Sequence, residues 1–233
     1  MKIKIFADTA DLKVVKRIAK KKIVDGFTTN PSLMRISGAK NYKNYSFKLI
    51  KFCKGKPISL EVFSDDYKSM LKQAKKITLW GKNVYVKIPV VNSKNKFSGK
   101  VISKLSYQGI KLNITAVYTV EQVKKIVNNL NKNTPSIISI FAGRMSDVGK
   151  DPLPIFKKSV ALVKKYKKIE ILWASTREAY NYIQAEKLKC NIITMPPKII
   201  EKIESFGKSY KYLTLDTVKK FLTDSRAAKF KIN

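Results

Sequence analysis

The feature that most constrains the fold is an alternation of short apolar runs with longer amphipathic stretches, sustained along the 233 residues. Runs rich in Ile, Val and Phe recur about every 25 to 30 residues and predict strands. The eight predicted strands are 3–8, 26–30, 58–63, 84–89, 111–118, 136–143, 170–175 and 190–196. Between them, apolar residues three or four positions apart predict helices, as in 11–22, 67–80, 119–130 and 153–166.

Strict alternation of nearly continuous apolar strands with helices predicts parallel strands covered by helices. Eight such units in a chain of this length favour a closed (β/α)8 TIM barrel over an open doubly wound sheet, the second candidate. No GxGxxG or GxxxxGK[ST] motif supports a nucleotide-binding sheet. We therefore expect residues 1–233 to form one α/β barrel domain, with an extra C-terminal helix at about 214–229 that covers the barrel or a neighbouring subunit.

Composition excludes several classes of protein and of catalysis. No apolar stretch approaches the roughly 18 residues that cross a bilayer. The N-terminal apolar run is short and is followed by an acidic residue at position 8, which does not fit a signal peptide. We therefore expect a cytoplasmic protein without a membrane partner. The chain has no histidine, which excludes Ser-His-Asp and Cys-His mechanisms. Cys53 and Cys190 have no CxxC spacing and predict neither a disulfide nor a zinc site. Acid–base chemistry is left to carboxylates, lysine, tyrosine or water.

The net charge of +33 raises the question of nucleic-acid binding. Only five of the 49 basic residues are arginines, and the lysines are spread along the whole chain. A dedicated nucleic-acid surface more often clusters its charge and combines arginine with stacking aromatic residues. The pattern predicts loose attraction to polyanions but no specific nucleic-acid partner.

Lys87 contradicts its surroundings, because every neighbour in the run 84–89 indicates a buried strand. The ordinary interpretation is that it ends an edge strand and points to water. In an apolar setting, desolvation would instead disfavour the charged ammonium, and a neutral amine is a nucleophile. The choice between these interpretations depends on the polar residues of the other strands.

Polar residues fall toward the carboxyl ends of seven consecutive predicted strands. They are Asp8, Asn30, Glu61, Lys87, Asn113 with Thr115, Ser139 with Arg144, and Ser175 with Arg177. Each also has a structural explanation: Asp8 could cap a helix, Asn30 could form a turn before Pro31, and Asn113 could satisfy backbone groups. In a barrel these strand ends form one rim, which is where barrel enzymes carry their chemistry.

The rim residues suit carbon–carbon bond chemistry. A desolvated lysine forms a Schiff base with a carbonyl substrate, and the iminium then acts as an electron sink. Asp8 and Glu61 can act as general acid and base, directly or through a water molecule held by Thr115. We therefore predict Lys87, Asp8, Glu61 and Thr115 as catalytic residues.

The other rim residues are predicted to bind substrate. Two asparagines can orient a polyhydroxylated substrate, while two arginines and a serine suit a phosphate dianion. Residues two apart on a strand share a face, which adds Phe141 beside Ser139. The predicted binding residues are Asn30, Asn113, Ser139, Phe141, Arg144, Ser175 and Arg177.

Short motifs link these positions to a known family. They are FADTA at 6–10, DGFTTNPSL at 25–33, LEV at 60–62, VKIP at 86–89, NIT at 113–115, FAGR at 141–144 and ASTR at 174–177. In these motifs, and over essentially its whole length, the chain resembles the short single-barrel members of the transaldolase family, which include fructose-6-phosphate aldolases.

The resemblance implies a role for each matching residue. Lys87 would form the Schiff base, Asp8 and Glu61 would transfer protons, and Thr115 would hold a water molecule. The remaining matches would contact the dihydroxyacetone moiety (Asn30, Asn113) or phosphate (Arg144, Ser175, Arg177). It also implies phosphorylated sugar substrates, a mechanism without metal or cofactor, and a homo-oligomer.

Two positions bear on the reaction type within the family. Simple aldolases of the family tend to carry glutamine where this chain has Glu61 and tyrosine where it has Phe141. We therefore predict a transaldolase of the sedoheptulose 7-phosphate/fructose 6-phosphate type, acting in pentose phosphate metabolism. The alternatives are a fructose-6-phosphate type aldolase, an aldolase forming a pentose phosphate such as arabinose 5-phosphate, and, more remotely, an inactive polyanion-binding barrel. Trp173, expected beside the phosphate site, and the polar, aromatic stretch 178–185 leave the sugar open.

Overall fold

The computed structural model describes residues 2–232 and contains a closed barrel in which eight parallel strands follow one another in chain order. The strands are β1 (Lys4–Asp8), β2 (Gly26–Thr28), β3 (Ile58–Glu61), β4 (Val84–Pro89), β5 (Leu112–Val117), β6 (Ser136–Phe141), β7 (Ile169–Ala174) and β8 (Ile192–Met195). Pairing of β1 with β8 closes the sheet. The predicted barrel is confirmed, and the predicted strand bounds agree within two residues.

Helices follow the strands, and most of them cover the outside of the barrel. They are α1 (Leu12–Ile18), α2 (Pro31–Ile36), α3 (Tyr42–Phe52), α4 (Tyr67–Thr78), α5 (Gly99–Tyr107), α6 (Val120–Asn129), α7 (Ala142–Ser146), α8 (Leu153–Val163), α9 (Tyr180–Lys187), α10 (Pro197–Ile203) and α11 (Tyr210–Ala227). The predicted helices run past α4 and α8 because Trp80 and Tyr166 pack against the core from the loops that follow.

The C-terminal helix α11 begins earlier than predicted. Ser209 caps it by accepting a hydrogen bond from the Tyr212 amide at 3.2 Å, so the helix starts at Tyr210. None of its residues is buried, so within the described chain it does not cover the barrel. In residues 2–232, no helix has both the length and the apolar composition needed to span a membrane.

Side chains inside the barrel form layers that become polar toward the carboxyl ends of the strands. An apolar cluster fills the middle: Phe6, Ile137, Leu172, Ala174 and Ile192. Gly26 makes room for it, since a Cβ there would lie 2.6 Å from the Phe6 ring. Residues two positions further along the strands share the same face and lie above this layer. The apolar cluster therefore forms the floor on which the polar rim is built.

Candidate active site

A cavity of about 220 Å³ opens at the carboxyl ends of the strands. Nine of the predicted site residues line it: Asp8, Asn30, Lys87, Thr115, Ser139, Phe141, Arg144, Ser175 and Arg177. Residues that the sequence analysis missed also line it: Thr28, Ala174, Thr176, Thr194 and Pro196. The other two predicted residues, Glu61 and Asn113, lie behind this lining layer and contact it. The structure therefore gathers residues from seven of the eight strands, or the loops after them, around one space, and β3 contributes Glu61 beside Lys87.

Lys87 is buried inside the barrel, with 6% of its surface exposed. Its ammonium donates to the Thr29 carbonyl at 3.0 Å and lies 3.1 Å from Glu61 Oε2. The lysine is therefore desolvated, but its immediate neighbours are polar rather than apolar. The interpretation as a water-facing edge lysine is wrong, because β4 is paired on both sides.

The backbone of Glu61 is held by a residue that the sequence analysis missed. The Tyr42 hydroxyl, from α3, donates to the Glu61 carbonyl at 2.9 Å and accepts from the Glu61 amide at 3.0 Å. Burial raises the pKa of the Tyr42 phenol, so the hydroxyl keeps its proton. No local sequence pattern marks this contact, because the two residues are 19 positions apart.

Asp8, the last residue of β1, also lines the cavity. It accepts a hydrogen bond from Thr28 at 2.7 Å, and the Thr28 hydroxyl lies 2.5 Å from that of Thr194. Burial raises the pKa of Asp8, although the charge of Lys87 and the Thr28 hydrogen bond act in the opposite direction. The alternative role as a helix cap is taken by Asp11, which accepts from two amides of α1.

Asn113 and Thr115 lie on the interior face of β5. Asn113 is fully buried beside Lys87 in the strand register, donating to Ser59 Oγ at 2.9 Å and accepting from Ser139 Oγ at 2.7 Å. Thr115 is buried as well, yet its hydroxyl has no hydrogen-bond partner among residues 2–232. Asn113 therefore braces the wall, whereas Thr115 keeps an unused hydroxyl at the cavity surface.

Asn30 is both a helix cap and a lining residue of the cavity. Its Oδ1 accepts from the Leu33 amide at 2.9 Å and caps α2, which starts with Pro31. It also lines the cavity. The cap uses the amide oxygen, which leaves the amide nitrogen for a ligand.

The two arginines at the cavity mouth differ in their surroundings. Arg177 binds Asp147 in a two-pronged arrangement, with Nε 2.9 Å from Oδ1 and Nη2 2.5 Å from Oδ2. The hydrogen bond from Arg177 lowers the pKa of Asp147. Arg144 forms no ion pair within the described part of the chain. Arg177 is thus partly engaged by the protein itself, which its sequence position did not reveal.

The segments that follow β6 and β7 approach each other closely next to these arginines. Ser175 has a φ of +64°, in the left-handed region. Its carbonyl passes so close to Gly143 that a Cβ on the glycine would lie 1.8 Å away. The glycine of the FAGR motif therefore allows Arg144 and Ser175 to share one mouth of the cavity.

The expectation that Trp173 lies beside the phosphate site is wrong. Trp173 is buried and stacks on Phe156 of α8, with ring centroids 4.3 Å apart. Its neighbour Ala174 lines the cavity, and consecutive strand residues point to opposite faces. This alternation alone assigns the tryptophan to the helix-covered outside.

Comparison with known proteins points to one family. A family model described as Transaldolase/Fructose-6-phosphate aldolase matches residues 5–233. A probable transaldolase of Nitrosopumilus maritimus is 34% identical over 203 residues, covering 86% of this chain and 87% of its own. A probable transaldolase of Methanococcus maripaludis is 31% identical over 226 residues, which cover 97% of this chain and 98% of that protein.

Among solved structures, the chain is similar to a putative dihydrodipicolinate synthase family protein from Coccidioides immitis. The TM-score is 0.64 at 11% identity, over 98% of this chain and 78% of that protein. At this identity the similarity supports the barrel fold alone.

Proposed function

The chain belongs to the transaldolase/fructose-6-phosphate aldolase family of enzymes, and on that premise we propose that it transfers a dihydroxyacetone unit between sugar phosphates. The observation that carries the proposal is the buried amine of Lys87, which lines the cavity 3.1 Å from Glu61. Arginines at the mouth of the same cavity suit the phosphate of such a substrate.

The first step is formation of a Schiff base. Lys87 passes a proton to Glu61, and the free amine attacks the C2 carbonyl of a ketose phosphate to give a carbinolamine. Protonation of the carbinolamine hydroxyl releases water and leaves an iminium. A water molecule bound by the unused hydroxyl of Thr115 can relay this proton.

The second step is cleavage and transfer. A base removes the proton of the C4 hydroxyl, the C3–C4 electron pair moves into the iminium, and an aldose phosphate departs. Asp8 can serve as this base: it lines the cavity, and burial raises the pKa of its carboxyl, so its carboxylate is a stronger proton acceptor than an exposed one. The enamine then attacks the carbonyl of an acceptor aldose phosphate, Asp8 returns the proton to the new hydroxyl, and hydrolysis frees Lys87.

The phosphate group anchors the substrate at the cavity mouth. Arg144, which has no ion-pair partner among residues 2–232, can offer its guanidinium to the dianion directly. Arg177 adds positive charge from a position fixed by Asp147. The net charge of +33 draws anionic sugars toward the protein over longer distances.

Transfer is preferred over release of free dihydroxyacetone because of two residues. Glu61 places a carboxylate against the lysine. Phe141 lines the cavity with a ring that packs near Tyr118, centroids 5.9 Å apart, and offers no hydroxyl to position a hydrolytic water. A fructose-6-phosphate type aldolase is the second candidate, since the family contains both activities.

Borohydride trapping tests the covalent step. Reduction in the presence of fructose 6-phosphate should fix one three-carbon adduct, located on Lys87 by peptide mass spectrometry, and Lys87→Met should abolish it. Lys4→Met is the matched control, because Lys4 pairs with Glu170 at 2.6 Å at the opposite end of β1 and should be dispensable for trapping. An intact wild-type protein that forms no adduct would refute the mechanism.

Product analysis separates transfer from free aldol cleavage. With fructose 6-phosphate as donor, turnover should require an acceptor such as erythrose 4-phosphate. Undiminished turnover without any acceptor would contradict transfer and favour the aldolase.

The exposed helix α11 supports a homo-oligomer. Its apolar side chains include Val218 and Phe221, which are 57% and 67% exposed. Burying them between copies of the chain would remove apolar surface from water. Sedimentation equilibrium should show a defined oligomer, and a monomer at micromolar concentration would contradict this part of the proposal.

A further inference from the structure

Strand β2 stops before its neighbour β3 does, and this leaves two backbone groups of Glu61 without a strand partner. Along the paired part, the Phe27 amide donates to the Pro57 carbonyl at 2.8 Å and the Thr29 amide to the Ser59 carbonyl at 3.2 Å. If this parallel pairing of β2 with β3 continued by two residues, the Glu61 amide would donate to the Thr29 carbonyl, and the amide of residue 31 would donate to the Glu61 carbonyl.

Neither of these bonds exists. Residue 31 is a proline and has no amide proton to donate. Asn30, extended with φ −155°, directs the chain out of the sheet into α2. The Thr29 carbonyl accepts from Lys87 Nζ at 3.0 Å instead. The same interruption that supplies the lysine with an acceptor therefore deprives Glu61 of its own partners.

The hydroxyl of Tyr42 supplies both missing bonds, donating to the Glu61 carbonyl and accepting from its amide. We propose that Tyr42 is a positioning residue for the Lys87–Glu61 pair, an inference that rests on the proposed Schiff-base function. Its hydroxyl substitutes for the end of β2, so that the Thr29 carbonyl remains available to the lysine. On the other side, the Val62 amide bonds the Lys87 carbonyl at 3.1 Å, so the backbone at Glu61 is held from two directions.

The setting of Tyr42 keeps this hydroxyl in place. Its ring packs edge-on against Phe63, with centroids 5.3 Å apart, and lies 6.0 Å from Trp80. Without the hydroxyl, the Glu61 amide would compete with Lys87 Nζ for the Thr29 carbonyl. The carboxylate and the amine would then both move from the positions in which they exchange a proton.

The substitution Tyr42→Phe tests the inference, because it removes the hydroxyl and keeps the packed ring. Tyr45→Phe is a matched control on the same helix: the Tyr45 hydroxyl also bonds backbone carbonyls, those of Ala10 at 3.0 Å and Ser37 at 2.9 Å, and does not touch Glu61. We expect Tyr42→Phe to lower kcat by about 10- to 100-fold with KM unchanged, as small misplacements of reacting groups do. Tyr45→Phe should lose a similar amount of thermal stability but keep its kcat.

A double-mutant cycle with Glu61→Gln separates positioning from general destabilisation. If Tyr42 acts through Glu61, its loss should cost less than about twofold in kcat once the carboxylate is gone. Equal losses in both backgrounds, a wild-type kcat in Tyr42→Phe, an equal kcat loss in Tyr45→Phe, or unfolding of Tyr42→Phe alone would each overturn the inference. Absence of the borohydride adduct in the wild type would instead refute the proposed function, and this inference with it.

Discussion

Thr115→Val should lower activity while leaving stability intact. The Thr115 side chain is 2% exposed, and its hydroxyl has no hydrogen-bond partner among residues 2–232. A buried hydrogen bond typically contributes about 1 kcal/mol, and a buried polar group left unpaired costs about 1–3 kcal/mol. Valine has nearly the same shape and removes a group from which the fold gains nothing. We therefore expect the free energy of unfolding to be unchanged or up to about 1 kcal/mol higher.

Thr134→Val is the matched control for this measurement. Thr134 is equally buried, at 4% exposure, but its hydroxyl donates to the Ser106 carbonyl at 2.8 Å. Its loss removes one of two hydrogen bonds to that carbonyl, which still accepts from the Gly109 amide at 3.0 Å, and should cost about 1 kcal/mol. Urea unfolding of both variants, with the midpoint read at constant m-value, gives the comparison directly.

The activity of Thr115→Val tests the catalytic half of the argument. If the hydroxyl holds the water that relays protons to and from the Schiff base, kcat should fall by about 100-fold, the lower end of typical acid–base contributions. Thr134→Val should keep its kcat at temperatures where it is folded. The reasoning fails if Thr115→Val is as unstable as the control, since the fold would then use the hydroxyl, or if its kcat stays within about twofold of wild type.

Asp8 and the mouth of the cavity offer two further tests. Because burial raises the pKa of Asp8 above its ordinary 3.8, its ionisation destabilises the fold as pH rises from 3.8 through the raised value. Asp8→Asn removes the proposed base and should lower kcat by about 100-fold or more. Its free energy of unfolding should equal or exceed that of the wild type at pH 7, and the difference should vanish below pH 3.8 in unfolding measurements at acid pH. In Gly143→Ala, the added Cβ would lie 1.8 Å from the Ser175 carbonyl oxygen. This substitution should lower the free energy of unfolding by about 1–3 kcal/mol and raise KM for phosphorylated sugars. Gly109→Ala, with open space around it, should leave KM unchanged.

The barrel and its rim could be predicted from the sequence because both follow from local patterns. Apolar runs and amphipathic stretches each reflect which faces an element buries, and their regular order leaves few topologies. The rim follows from the topology, since parallel strands in a closed barrel end on one side. Lys87 could be assigned to it without a three-dimensional structure for this reason.

Side-chain contacts between elements distant in the chain could not be predicted from the sequence. Tyr42 reaches Glu61 because α3 packs behind a strand interruption, and Arg177 reaches Asp147 across two successive loops. Neither pair has a spacing that a helix or strand period would relate. The depth of Asn113 below the cavity surface is likewise set by the stagger of the strands around the barrel, which no single strand encodes. Trp173 is different, because strand alternation was sufficient to place it outside.

The barrel contains a second lysine–carboxylate pair, and the contrast between the two explains why only one should be reactive. Lys4 lies 2.6 Å from Glu170, closer than Lys87 lies to Glu61 at 3.1 Å. The Lys4 side chain is 41% exposed, however, whereas that of Lys87 is 7% exposed. Water can replace the carboxylate around an exposed ammonium at little cost, so the partner of Lys4 contributes only salt-bridge stability. Around Lys87, water is largely excluded, the Glu61 carboxylate lies 3.1 Å from the amine, and the remaining space is a cavity with arginines at its mouth. A carboxylate neighbour is therefore insufficient for reactivity: desolvation, a held proton acceptor and a site for an anionic carbonyl compound coincide at Lys87 and not at Lys4.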